Sequence, residues 1–86
     1  MPEISRFYGI IIFINYDEHN PPHFHAKYGE HTAAITIDPV RMQDGHLPRQ
    51  AWRLLKEWAE QHQEELLEAW ELSQSGNVPF RIDPLE

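Results

Sequence analysis

Along residues 6–15, RFYGIIIFIN, apolar side chains occupy both alternations: Tyr8, Ile10, Ile12 and Ile14 one way, Phe7, Ile11 and Phe13 the other. A β-rich run apolar on both faces predicts a central strand, or one with a face covered by a partner. Tyr16, Asp17, Glu18, His19 and Asn20 are polar, and Pro21-Pro22 cannot donate to a sheet ladder, so a loop is expected there. HFHAKY (23–28) and HTAAITID (31–38) follow, joined by Gly29-Glu30, a two-residue link whose leading glycine predicts a type II′ hairpin. That turn sets Tyr28 opposite His31, Ala26 opposite Ala33 and Phe24 opposite Ile35. These residues and Ile37 form an apolar face for the core.

The other face of the hairpin collects His23, His25, Lys27, Thr32, Ala34 and Thr36, with His25 opposite the small Ala34. His31 falls at the turn end of the apolar face, outside this group. Residues 40–42 predict a further short strand closed by a turn at Asp44-Gly45. Pro48 suits a first helical turn. Beyond it Trp52, Leu55, Ala59, His62, Leu66 and Trp70 recur at spacings of three and four, and Gly76 terminates the pattern. A single rod of ~40 Å would outrun so small a sheet, which favours two helices with a break at residues 61–63 over one long one. The tail alternates Phe80, Ile82 and Leu85 between prolines and suits an extended edge segment.

The expected fold is a single α+β domain over residues 1–86. An antiparallel sheet of three to four strands (6–43) precedes one bent or two packed helices (48–75) and an extended tail (77–86). The 86 residues allow one core, and the absence of cysteine fits a reducing compartment. The N-terminus lacks a leader pattern, and the longest apolar run, 10–14, is too short to span a bilayer, so a cytoplasmic protein with no membrane association is expected. The formal charge is −7, and residues 51–86 hold three basic against eight acidic groups. That balance opposes an autonomous nucleic-acid binder, leaving RNA contact only to a local patch, and suits a basic protein partner. Glu57, Glu60, Glu64, Glu68 and Glu71 read first as a solvated helix face. Trp52 and Trp70 read as core; Trp58, off the main stripe, is the candidate for a partner surface.

The candidate chemistry lies in HNPPHFH, residues 19–25. Histidines at i and i+2 on a strand project from one side within reach of a single ion. His19, Asp17 or Glu18 from the preceding loop would complete a set suited to zinc, manganese or iron. Without a metal, His23 and His25 are candidates for base and acid in cleaving an RNA phosphodiester, with Lys27 holding a phosphate. The bland alternative is a wetted strand face whose prolines only set the chain direction.

MPEISRFYGIIIFINYDEHNPPHFHAKYGEH, then GHLP, then LLKEWAEQHQEELLEAWEL, resemble the bacterial family catalogued as domain of unknown function 4160, over nearly the whole chain. The resemblance is most specific in ISRFYGI, in NPPHFHA (20–26) and in WAEQHQEELLEAW (58–70). Members are small and commonly encoded beside a protein of another such family, number 2442, a pairing grouped with type II toxin–antitoxin modules. The resemblance implies a partner from a neighbouring gene and a toxin-like role. It centres function on Asn20, Pro21, Pro22, His23, Phe24 and His25, and carries no catalytic assignment. The leading expectation is an interaction module, one half of such a pair, forming a homodimer when alone. The alternative is a metal-binding protein or small hydrolase using His23 and His25.

Overall fold

The computed structural model of the protein describes residues 2–16 and 18–86. Five strands form one antiparallel meander in the order β1-β2-β3-β4-β5: β1 Glu3–Phe7, β2 Ile10–Phe13, β3 His23–Tyr28, β4 His31–Ile37 and β5 Val40–Gly45. Helices α1, Arg49–Gln61, and α2, Gln63–Gln74, follow.

The sheet therefore has five strands where three to four were expected, because RFYGIIIFIN is a hairpin rather than one strand. Tyr8 and Gly9 reverse the chain with φ of 48° and 82°, and Phe7 pairs with Ile10. Positive φ at both central residues is the requirement of a type I′ turn, whose twist matches that of the flanking strands. Ile10, Ile12 and Ile14 are buried, while Tyr8 sits exposed in the turn and Phe7 joins the core. The β3–β4 register agrees with expectation throughout: Phe24 pairs with Ile35, His25 with Ala34, Ala26 with Ala33 and Tyr28 with His31. Strand β5 runs further than residues 40–42, through Gly45, and carries an extra residue: Ala34 pairs with Asp44, but Ile35 pairs with Met42. Such a bulge re-aims the side chains beside it.

Gly45 closes that strand at φ 83°, where a Cβ would run into the carbonyl oxygen of Thr32 and lie 2.7 Å from the Ala33 Cα. Gly45→Ala thus combines a left-handed backbone with a collision against main-chain atoms. A loss of about 2 kcal/mol or more is expected in urea unfolding.

The helices cover the face formed by Phe24, Ala26, Ala33, Ile35 and Ile37, with Leu55, Trp58, Ala59, Leu66 and Ala69 supplying the opposing layer. They break where expected, at His62, whose φ of −126° leaves the helical region. Two side chains support the break. The His62 Nδ1–H donates to Glu65 Oε1 at 2.7 Å, and Gln63 Nε2 donates to the Ile37 carbonyl at 2.9 Å, pinning the start of α2 to the end of β4. Glu64 and Glu65 in the first turn of α2 favour its positive end. Gly76 ends α2 as read: Gly76 N–H donates to Ser73 O and Asn77 N–H to Leu72 O, the paired bonds of a Schellman cap.

The tail lies along β1, with the Ile82 N–H donating to the Ile4 carbonyl at 2.7 Å and Arg81 reaching the Glu3 carboxylate at 3.1 Å. The tail also bears on Trp58, whose indole N–H donates to the Asp83 carbonyl at 2.8 Å. Trp58 is completely buried, between Phe7, Phe24 and His62. Its assignment as a partner surface is therefore corrected: the tail covers the side of α1 that the periodicity leaves unpartnered. No helix among the described residues is long and apolar enough to cross a membrane.

Candidate metal centre

The long connection 14–22 leaves β2 and delivers the chain to β3 at Pro22. Both prolines act through their carbonyls. The Pro22 carbonyl accepts from Ile37 N–H at 3.2 Å, extending the β3–β4 ladder by one bond. The Pro21 carbonyl lies 2.8 Å from His23 Nδ1. A carbonyl only accepts, so Nδ1 carries the proton, and the lone pair of the neutral imidazole sits on Nε2. Trp70 from α2 packs on the same ring, centroid to centroid 5.1 Å, and His23 is only 7% exposed. The ring is fixed in place and in tautomer.

His25, two residues on, projects from the same face, its ring 5.2 Å from that of His23. Phe13, its neighbour on β2, stacks on it at 5.3 Å and 15°. Glu18 returns from the loop to meet both imidazoles: Oε1 is 2.7 Å from His25 Nε2, and Oε2 is 3.7 Å from His23 Nε2. Asn15 Nδ2 donates to Glu18 Oε1 at 3.0 Å. That hydrogen bond is the largest of the influences holding the Glu18 carboxyl below the usual carboxylate range; partial burial opposes it, and His25 adds to it.

Because the folded pKa of Glu18 is lowered, its contribution to stability is present above the unfolded value and is lost as pH falls through the folded one. The advantage of the native protein over Glu18→Gln is expected to disappear on acidification below about 4.3, the ordinary glutamate value. Paired urea titrations at stepped pH measure it; an advantage persisting unchanged into strong acid contradicts the assignment.

Among the described residues, Glu18, His23 and His25 are the one set of three metal-type ligands, with one donor atom from each lying within 4.8 Å of the others. The fit to an ion can be checked. Metal–ligand bonds of ~2.1 Å in tetrahedral geometry hold neighbouring donor atoms ~3.4 Å apart. The 2.7 and 3.7 Å contacts are made by different oxygens of Glu18, and with one donor atom from each residue the three lie within 4.8 Å of one another, so the side chains would draw in slightly to seat one ion.

The two histidines read from the strand pattern are thus brought together, and the carboxylate is supplied by Glu18. Of the three candidates for the third ligand, His19 is exposed and outside the set, and the loop turns Glu18 inward. Asp17 lies outside the described residues. Asn20 and Pro21 are exposed and Pro22 half-buried, so of these only the proline carbonyls bear on the site. Phe24 points into the core against Trp58, away from the cluster, because successive strand residues face opposite ways. Lys27 is exposed beside Ile11 and lines, with Glu3, Arg6 and Phe13, a separate shallow depression. Asn15 and Phe13, which orient Glu18 and His25, escape a reading of the sequence because each acts across the loop or the ladder.

The family described as Domain of unknown function (DUF4160) matches residues 9–71, nearly three quarters of the chain, and the protein belongs to it. No curated protein and no solved structure matches.

Proposed function

We propose that this member of the DUF4160 family is a metal-binding domain in which Glu18, His23 and His25 hold one divalent transition ion. Three protein ligands leave positions for water and for a substrate oxygen, the arrangement used in metal-assisted hydrolysis. The observation that carries the reading is the Pro21 carbonyl on His23 Nδ1, which commits Nε2 as the electron-pair donor facing Glu18. A histidine whose other nitrogen is held by a carbonyl is the usual form of a metal-ligating histidine. The same restraint disfavours His23 as an acid–base group, since buried under Trp70 it has little access to a substrate proton. To offer Nε2 to an ion, neutral His25 would carry its proton on Nδ1 instead, while Asn15 would keep Glu18 oriented. Isothermal titration with Zn²⁺ and Mn²⁺, after treatment with chelator, is expected to show one ion per chain. Absence of binding for both ions overturns the reading.

A second reading rests on a different observation. Ile11 and Phe13 are half-buried on the helix-free face of the sheet, between Arg6 and Lys27. That patch suits contact with a protein from a neighbouring gene, as the toxin-like half of a two-protein module, or with a second copy when that partner is absent. It ranks below the metal reading because Trp58 is buried and the first apolar run folds on itself, with the tail along β1. Co-expression with the neighbouring gene product and light scattering of the protein alone test it.

A further inference from the structure

Phe13, His25, Ala34 and Asp44 are paired in succession across β2, β3, β4 and β5, and so form one row over the helix-free face. Strands in a sheet lie 4.7–4.9 Å apart, which sets the backbones at His25 and Asp44 about 10 Å apart. Between them stands only the methyl of Ala34. The outcome is a notch of about 130 Å³ with Phe13 and His25 on one side, Asp44 and Gly45 on the other, and Thr32 beside the Ala34 floor. It is a shallow, partly open depression floored by a single methyl, suited to a small organic group. The β5 bulge next to Asp44 and the close seating of Gly45 on β4 shape the far wall.

Resting on the metal reading, we propose that this notch is the substrate subsite of the centre, and that it accepts a small ammonium-bearing molecule. His25 is the residue the notch shares with the ligand set, so one end of the molecule, a carbonyl or carboxyl-type oxygen, would reach past it to the ion, while the ammonium would meet the Asp44 carboxylate, with the Thr32 hydroxyl as a second acceptor. Charge agrees at both scales. Asp44 offers an acceptor without a donor, and the chain as a whole is at −7, a field that draws cations and repels polyanions. A ribonucleic acid substrate is disfavoured by the same field.

The test uses the zinc-loaded full chain and two hydroxamates of equal length, β-alanine hydroxamate and butyrohydroxamate, in which a methyl replaces the amine. The amine-bearing probe is expected to bind about tenfold more tightly, the scale of one hydrogen bond to a charged group. Asp44→Asn should erase that preference. Ala34→Leu, which fills the notch on an exposed sheet face, should weaken both probes while leaving zinc stoichiometry and the circular dichroism spectrum as in the native protein. If both variants bind both probes like the native chain while zinc uptake is intact, the subsite is overturned and the metal centre stands. Failure of zinc uptake in the native chain overturns both.

Discussion

Trp58→Ala is expected to lower stability by about 3–5 kcal/mol, the range for removing a large aromatic side chain from a packed interior. Trp58 is fully buried and its ring meets Phe7 at 5.2 Å and Phe24 at 6.0 Å, so the void opens where α1, β1 and β3 converge. The indole N–H also holds the Asp83 carbonyl at 2.8 Å, and the variant should release the tail. Trp58→Phe separates the two effects. It keeps an aromatic ring and loses the donor, and a cost nearer 1–2 kcal/mol is expected from the unmade bond and the smaller ring. Hydrogen exchange at the Ile82 amide, which pairs with Ile4, should accelerate in both variants ahead of the sheet interior. Unchanged exchange at Ile82 would show that the tail is held by β1 alone.

The misreading of Trp58 shows where periodicity stops being informative. A helix face is apolar because something covers it, and the sequence of α1 cannot say whether the cover is a partner or the chain's own residues 77–86. The same limit produced the missing strand. Between Phe7 and Ile14 every position is compatible with burial, so no alternation marks the reversal; the signal there is Gly9, a residue that weakens a strand interior and is at home in a turn. By contrast, the β3–β4 register was legible because a two-residue link leaves no freedom once its glycine is placed. The break at His62 was legible from length alone, since a helix through residue 74 would overshoot the strands.

The site divides along the same line. His23 and His25 share a face because strand geometry is period two, and no tertiary information is needed for that. The third candidate ligand comes from a loop, where the choice among Asp17, Glu18 and His19 depends on how the backbone turns before Pro21. Glu18 is selected by a contact seven residues away, His25, and is held by Asn15, three residues back. Asp44 is more remote still: its place in the row follows from a bulge that no residue pattern announces.

His23→Ala with His25→Ala is expected to abolish metal binding, and the size of the effect can be bounded. Four-ligand structural zinc sites are worth on the order of 10–16 kcal/mol, or about 3 kcal/mol per ligand. Loss of two imidazoles should therefore weaken binding by roughly 10⁴-fold, because each 1.4 kcal/mol is tenfold. That leaves a lone carboxylate, indistinguishable from other surface acids. The single variants should differ from each other in a second respect. His25 is half-exposed, and its removal opens only the rim of the notch, so His25→Ala should lose affinity with little change in folding. His23 also fills space under Trp70 and donates to Pro21, so His23→Ala should lose both affinity and stability. Titration of each variant beside its own urea curve separates the two. Retention of native affinity by the double variant would place any bound ion elsewhere, since a lone Glu18 cannot account for it.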